Sequence, residues 1–434
     1  MIEVDAEFLS KFMGKYSLGK DDGKGSSHFL RIKIPGGMTN WKDLKKIAEL
    51  SDNYGKGYAE ITDRQNIQLH WINPDEAIEI FEELYKMGYT TDLCGQAFRE
   101  TCHGDVRNIV ACPLMGKSYP SFFNLIIKIN SYFSGNPDYI VLPHKFKIAV
   151  TSCGKDCVKI HANDLSLFWN GSGFIPFVGG GMGGSLPGIR YAESLNILVP
   201  EKEAFDFVRA VVDIHRDCSE TDSKAKARFK YLLHKRGKEW LMKELEMRTG
   251  SSYSVETIGL EGTAVEHEGG IQDNGKHYLT LPILGGILDS EKLRLVADLS
   301  KSYGSGEVRL TTWQNIIFTD VEDFERLKRE LKECFDLNIP YRAVACSSDF
   351  CGKTRFHSKD LLSQLVKYSN ESIAISGCLN GCACHPLATF GFMGKLRNGK
   401  QVYDMFYKGK ILYRDIRPEK IPLILKEVYH EVKD

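Results

Sequence analysis

No apolar stretch in this sequence approaches the roughly 18 residues that a membrane-crossing helix needs, so no membrane partner is expected. The opening residues, MIEVDAEFLSKFMGKYSLGK, lack an apolar core preceded by basic side chains and do not read as a signal peptide. Net charge is missing too, since 57 lysines and arginines balance 57 aspartates and glutamates. A neutral total argues against nucleic-acid or acidic-membrane binding, while leaving room for a local basic pocket. Also absent is a Gly-x-Gly-x-x-Gly fingerprint in a βαβ context, so neither a nicotinamide nor a flavin site is expected within the chain. These absences predict a cytoplasmic protein.

What is present is ordinary globular material. The chain has 434 residues, 42% hydrophobic and 26% charged, enough for roughly three average domains or two large lobes. Its twelve cysteines, with no export signal, are expected as reduced thiols. In short-spaced pairs such thiols suggest metal before disulfide.

The clearest organising signal is a self-match. His28-Phe-Leu-Arg-Ile-Lys-Ile-Pro-Gly-Gly37 aligns with His277-Tyr-Leu-Thr-Leu-Pro-Ile-Leu-Gly-Gly286 at an offset of 249 residues. The same offset, without a gap, carries Tyr54-Gly55 onto Tyr303-Gly304, Thr62 onto Thr311, and Gln65-Asn66 onto Gln314-Asn315. A duplicated module is the reading. Each copy predicts strand, helix, strand, tight turn, strand, helix, with the first strand at Phe29 to Ile34. Asn40 and Asp289 fall at matching N-cap positions. Leu44, Ile47 and Ala48 in one copy, and Leu293, Val296 and Ala297 in the other, give each helix a buried stripe. Second helices are expected from near Asp75 and near Glu322.

Two further lobes, 96–250 and 341–434, echo each other: Ile148-Ala-Val-Thr-Ser-Cys153-Gly-Lys-Asp-Cys157 resembles Ile373-Ala-Ile-Ser-Gly-Cys378-Leu-Asn-Gly-Cys382. The polar, glycine-rich stretch from Thr249 to Gly275 reads as the linker between halves. The expected organisation is therefore pseudo-twofold α+β, with repeats at 1–95 and 251–340 and a larger α/β lobe after each. A ligand is expected where the halves meet.

The C-terminal lobe holds Cys346-Ser-Ser-Asp-Phe-Cys351 and Cys378-Leu-Asn-Gly-Cys382-Ala-Cys384-His385. Two close pairs can converge on one metal centre, and four thiolates suit either tetrahedral zinc or an iron–sulfur cluster. Structural zinc often uses a two-residue gap, whereas these gaps are four and three, which favours a cluster. Cys102, Cys112, Cys153 and Cys157 form a second set whose nine-residue first gap fits no common pattern. A second cluster on them is conceivable, but remnants of the duplication or packed thiols are the favoured reading. Cys94, Cys218 and Cys334 read as isolated buried thiols.

A reactive anion bearing several negative oxygens needs fixed cations in a water-poor pocket. The candidates all come from the first half. Arg31 and Lys33 alternate with apolar residues on a strand, Arg64 follows a turn, Arg107 sits in Gly104-Asp-Val-Arg107-Asn, and Lys145-Phe-Lys147 puts two lysines on one strand face. The duplication makes them informative: Arg31 is matched by Thr280 and Arg64 by Trp313, so the basic groups belong to one copy and not to the scaffold. For any single one, a solvated surface charge is the competing interpretation.

Taken together, Arg31-Ile-Lys-Ile-Pro-Gly-Gly37, Thr62-Asp-Arg64-Gln-Asn-Ile-Gln68-Leu-His70, Gly104-Asp-Val-Arg107-Asn, Leu142-Pro-His-Lys145-Phe-Lys147 and Ser376-Gly-Cys378-Leu-Asn-Gly-Cys382 resemble the signatures of the sirohaem-containing sulfite and nitrite reductases. The resemblance spans nearly the whole chain, in the family's order. It implies duplicated ferredoxin-like modules with sirohaem- and cluster-binding lobes. It also implies a 4Fe–4S cluster on Cys346, Cys351, Cys378 and Cys382, with Cys382 shared with the sirohaem iron. Arg31, Arg107, Lys145 and Lys147 would hold the substrate oxyanion and feed protons, while Arg64, Gln68 and His70 would bind the macrocycle's carboxylates. Backbone N–H groups of the run Gly179 to Gly184 could serve those carboxylates as well, with a flexible loop as the competing interpretation. Two departures stand out. Cys346 and Cys351 are separated by four residues where the family usually has five, which leaves Cys384 as an alternative ligand. No ferredoxin-type Cys-x2-Cys-x2-Cys insertion is present either, unlike the dissimilatory subunits that carry one.

The implied reaction is a six-electron reduction, of sulfite to sulfide or of nitrite to ammonia. Sulfite-preferring members resemble Lys-Phe-Lys, whereas nitrite-preferring ones often carry Asn at the second position, so Lys147 favours sulfite. The competing interpretations are a nitrite reductase on the same centre, a corrinoid-biosynthesis monooxygenase of the same scaffold, and a non-catalytic zinc-stabilised protein. With no nucleotide site of its own, the chain is expected to draw electrons from a ferredoxin or a flavoprotein.

Overall fold

The computed structural model describes residues 12–20, 28–93, 104–259, 264–351 and 356–433. The chain divides into two compact units, one of residues 1–19, 28–37 and 72–261, the other of 20–27, 38–71 and 262–434. This division cuts across the four sequential segments expected from the sequence. The cause is that the middle of the first repeat folds together with the second.

That joint fold is reciprocal. Strand Met38–Asn40 of the first repeat pairs antiparallel with Glu307–Leu310 of the second, and strand Ile287–Asp289 of the second pairs antiparallel with Tyr58–Ile61 of the first. The main-chain N–H of Trp41 donates to the Gly306 carbonyl at 2.8 Å, and the N–H of Ser290 donates to the Gly57 carbonyl at 2.8 Å. Helix Trp41–Tyr54 packs against its counterpart, Ser290–Tyr303. Both start as expected: the Asn40 side chain accepts from the Lys42 and Asp43 N–H groups, and Asp289 accepts from Lys292. The caps satisfy orphan donors and fix where each helix leaves its strand. The stripes Leu44, Ile47, Ala48 and Leu293, Val296, Ala297 are all buried. The second helices run Ala77–Lys86 and Phe324–Cys334, and the first strand of the chain's repeat runs His28–Ile32.

The rest of the second unit is a five-stranded sheet in the order Ala343–Ala345, Ile373–Ser376, Phe390–Arg397, Lys400–Tyr407, Lys410–Ile416. Its first three strands are parallel and the remaining pairs antiparallel. Helix Ser358–Leu365 covers it with Leu361, Leu362 and Leu365 against Ile373, Ile375, Phe390 and Phe392. The two short parallel strands at the start of that order, Ala343–Ala345 and Ile373–Ser376, are buried along their whole length, as expected for parallel strands covered on both faces.

The first unit repeats part of this plan. Strands Val110–Ala111, Ile148–Thr151 and Leu165–Trp169 are parallel neighbours, followed by the antiparallel Phe174–Val178. Helices Phe123–Phe133, Ala204–Cys218, Phe229–Arg236 and Lys238–Thr249 complete it. The expected linker from Thr249 to Gly275 holds only two short strands, Ser254–Val255 and Gly269–Ile271, among its described residues. Of the three cysteines expected to be isolated and buried, Cys334 is exposed and Cys218 only half-buried, because both lie at the ends of helices that face solvent on one side. Cys94, like Cys102, lies outside the described residues. No helix among the described residues is long and apolar enough to cross a membrane.

Candidate functional site

The C-terminal cysteines are gathered by topology. Strands Ala343–Ala345 and Ile373–Ser376 are adjacent and parallel, so the loops leaving their C-terminal ends emerge side by side. Those loops carry Cys346 and Cys351 on one strand end, Cys378 and Cys382 on the other. The Cys346 N–H donates to the Ile375 carbonyl at 3.0 Å, and the Gly377 N–H donates to the Cys346 sulfur at 3.1 Å. A Cβ on Gly377 would stand 2.6 Å from the Ser348 Cβ, so only glycine permits the two loops to approach this closely. Burial pushes the Cys346 thiol well up, helped by the negative charge of Cys382 and, more weakly, of Cys378 and Cys351, while the Gly377 N–H opposes the rise. All four expected ligands therefore share one electrostatic neighbourhood.

Cys384 takes a different part. It is buried at a left-handed backbone position, and its thiol donates to the Cys382 carbonyl. His385 next to it reaches the Ser376 hydroxyl at 3.1 Å, and that hydroxyl also accepts the Ala383 N–H. The segment 382–385 is thus tied back to the strand end that launches it. Burial drives the His385 imidazole down to about 3, so it serves as a neutral hydrogen-bonding group.

The Cys346–Cys351 loop is anchored to the first repeat through a buried carboxylate. Glu60 accepts from the Ser347 hydroxyl at 2.6 Å, pairs with Lys359 at 2.9 Å, and contacts His70 Nε2 at 2.9 Å. The Gln68 amide lies 3.5 Å from the same carboxylate, and the His70 ring sits 4.0 Å from that of Phe350. Burial alone would raise the Glu60 carboxyl, but Lys359, then His70 and Ser347, hold it down at about 2. The structure therefore brings Gln68 and His70 to Glu60, beside the thiol loop. Arg64 lies on the turn just before their strand.

The cationic residues assemble in the first unit. Strands Gly104–Val106 and Val141–Phe146 are parallel, and the Arg107 N–H donates to the Phe146 carbonyl at 2.8 Å. That bond sets Arg107 next to the strand segment that carries Lys145 and Lys147. Buried Asp105 pairs with Arg107 at 3.1 Å and with Lys33 at 3.4 Å. Arg31 lies 3.9 Å from Asp92, whose carboxylate also accepts the Asn108 N–H at 3.0 Å. Arg31, Arg107, Lys145 and Lys147 are half-buried, whereas Lys33 is buried. The concentration of positive charge shows on His144, driven down to about 2 by burial and then by Arg228, Lys145, His215 and Arg107.

Two basic residues here were not singled out in the sequence. Arg228 is buried with its Nη2 3.4 Å from Asp164 and its Nε without a hydrogen-bond partner. Lys230 is buried and donates to the carbonyls of Gly181 and Gly183 at 3.3 and 2.7 Å. Burial, then Arg228, bring its ammonium down to about 8. The alternation Arg228-Phe-Lys230 matches the Lys145-Phe-Lys147 pattern and was the available signal. The glycine run itself differs from expectation: the N–H groups of Gly179, Gly180 and Gly181 donate to the carbonyls of Asp164, Asn163 and Arg190. Those three donors are engaged inside the fold.

The first-half thiols also converge. Cys112, Cys153 and Cys157 are buried with their sulfurs all within 4.8 Å of one another. Burial pushes Cys112 and Cys157 well above the ordinary thiol range.

Duplicated half-domains, four thiols on two adjoining strand ends and a group of half-buried basic residues are together the makings of a redox enzyme. Residues 20–87 and 271–334 each match the nitrite/sulfite reductase ferredoxin-like half domain, and residues 102–253 match the nitrite and sulphite reductase 4Fe-4S domain. The chain belongs to the nitrite and sulfite reductase family and is an oxidoreductase. It is 28% identical to the assimilatory ferredoxin-dependent nitrite reductase of Haloferax mediterranei, covering 88% of this chain and 73% of that one. It is 27% identical to sulfite reductase (ferredoxin) 1 of Mycolicibacterium paratuberculosis, covering 84% and 69%. The solved structure of the Mycobacterium tuberculosis NirA protein superposes with a TM-score of 0.83 at 22% identity, covering 98% of this chain and 87% of that one, which establishes the shared fold.

The cofactors of this family are sirohaem and a 4Fe–4S cluster, and the residues present fit them. Four thiols on two adjoining strand ends, with a backbone N–H aimed at one sulfur, suit a cluster whose thiolates need hydrogen-bond stabilisation. A buried guanidinium with an unpartnered Nε, Arg228, within a group of half-buried cations suits a ligand rich in carboxylates.

Proposed function

We propose that the chain reduces sulfite to sulfide, with electrons delivered by a ferredoxin-type donor. What supports the sulfite reading is Lys147, half-buried two residues after Lys145 on the segment whose Phe146 carbonyl accepts the Arg107 N–H, because it offers one cation more than a nitrite site with Asn at that position. Sulfite carries more negative charge than nitrite and gains more from the additional cation.

In this reading Cys346, Cys351, Cys378 and Cys382 would hold the cluster, and Cys382 would also serve the sirohaem. Bound there, the two groups would supply the electrons for the reduction. The protein's own residues do the rest. Arg31 and Arg107 are held by Asp92 and Asp105, so their guanidiniums are oriented before substrate arrives and need no reorganisation as charge develops. Lys145 and Lys147 bind the oxyanion and donate protons as its oxygens leave as water. Arg64, Gln68 and His70 are assigned to the macrocycle's carboxylates, with Glu60 orienting His70.

Two relatives of near-equal identity, one named a nitrite reductase and one a sulfite reductase, make nitrite the second reading. Steady-state assays with reduced viologen on the two anions decide between them. A larger kcat/KM for sulfite is expected, and a much larger one for nitrite overturns the assignment.

A further inference from the structure

The two lobes place cysteines by the same rule. In the second lobe the Cys346 N–H donates to the Ile375 carbonyl at 3.0 Å, and Cys378 and Cys382 follow three and seven residues after Ile375. In the first lobe the Cys112 N–H donates to the Val150 carbonyl at 3.1 Å, and Cys153 and Cys157 follow three and seven residues after Val150. Each set sits at the end of two adjacent parallel strands. Cys112, Cys153 and Cys157 are thus the positional equivalents of Cys346, Cys378 and Cys382. The equivalent of Cys351 is Lys117, so the first lobe offers three thiols rather than four.

The spacing of those three decides what they can hold. Thiolates on a 4Fe–4S cluster each bind a different iron at a cube corner, which sets their sulfurs about 6 Å apart. Thiolates sharing one tetrahedral ion at a bond length of about 2.3 Å lie only about 3.8 Å apart. The Cys153 and Cys157 sulfurs are 3.3 Å apart, and all three lie within 4.8 Å of one another. That compactness matches a single ion and is too tight for a cluster. The Thr151 hydroxyl, 3.4 Å from the Cys153 sulfur and 3.8 Å from that of Cys157, supplies the kind of outer hydrogen bond that steadies a thiolate ligand. Full burial fits a closed structural site.

We propose that Cys112, Cys153 and Cys157 form a three-thiolate site for a single zinc-class ion, completed by a nitrogen or oxygen donor. It uses none of the residues assigned to the cluster, to sirohaem or to substrate. Its function is structural: it cross-links the end of strand Val110–Ala111 to the loop after Ile148–Thr151.

The test is elemental analysis of the purified holoenzyme, with zinc K-edge absorption on the same sample. About one zinc per chain, with sulfur neighbours at about 2.3 Å, is expected. Cys153→Ala and Cys157→Ala should each lose the zinc while keeping the iron content and visible spectrum of the unaltered enzyme. Zinc at trace level in the unaltered enzyme overturns the proposal, as does zinc lacking sulfur neighbours. Iron and sulfide beyond one cluster and one haem, lost in the Cys153→Ala variant, overturns it in favour of a second cluster. The readings on the unaltered enzyme stand even if a variant fails to fold, and none depends on which anion is reduced.

Discussion

Gln65 and Gln314 hold each other's repeat by the same bond. The Gln65 side-chain amide donates to the Leu310 carbonyl at 2.8 Å, and the Gln314 amide donates to the Ile61 carbonyl at 2.8 Å. Both residues sit at left-handed backbone positions with φ of 57° and 68°, at the tight turns the self-match put in register. Gln314 does one thing more, since its side-chain oxygen accepts the Ala345 N–H at 3.0 Å, one residue before Cys346.

That asymmetry separates two variants. Gln65→Ala and Gln314→Ala each leave a buried carbonyl without its donor, a cost of about 1–3 kcal/mol. Gln314→Ala additionally loosens the backbone entering the Cys346 loop, so it should lower iron content more than Gln65→Ala at equal loss of thermal stability. Iron assay alongside thermal melting tests this, and equal iron contents would contradict it.

Glu60 gives a pH dependence of defined sign. Its folded carboxyl is held at about 2 against an ordinary value of 4.5. The depressed value means its stabilising contribution is present in full above the unfolded pKa and is lost as pH falls from about 4.5 toward 2. Glu60→Gln removes the charge that the partly buried Lys359 pairs with and weakens the bonds to His70 and Ser347, and should cost about 3–5 kcal/mol near neutrality. Urea unfolding of both proteins should show that gap narrowing between pH 5 and pH 3, and a constant gap would contradict the assignment.

Lys147→Asn should leave both cofactors in place and shift the ratio of kcat/KM values toward nitrite by about tenfold. Unchanged visible spectra with an unchanged ratio would remove Lys147 from substrate selection.

Cys382→Ser should abolish the spectrum of the coupled cofactors, whereas Cys384→Ala should retain it. Cys384 has a buried thiol donating to a carbonyl, so its loss should cost stability of about 1–2 kcal/mol. Loss of the spectrum in Cys384→Ala with a native spectrum in Cys382→Ser would exchange their roles.

Much of this was legible in the sequence. The gapless offset of 249 residues exposed the duplication, because equivalent turns and caps demand equivalent residues: Asn40 and Asp289 both cap helices, and Gln65 and Gln314 both turn. The thiol pairs and the alternating basic residues were likewise visible, since ligand spacing and strand period are local properties. What the sequence could not determine was partnership. Strands Met38–Asn40 and Ile287–Asp289 pair with the opposite repeat, an exchange that adds no local signal because either pairing satisfies the same backbone donors. The glycine run looked like a cradle for a ligand, yet the N–H groups of Gly179, Gly180 and Gly181 meet the carbonyls of Asp164, Asn163 and Arg190. Above all, Cys112, Cys153 and Cys157 could be grouped from the sequence, but with 40 residues between the first two nothing local showed that their sulfurs meet. Only the pairing of two short parallel strands brings those sulfurs together, and only their separation distinguishes one ion from a cluster.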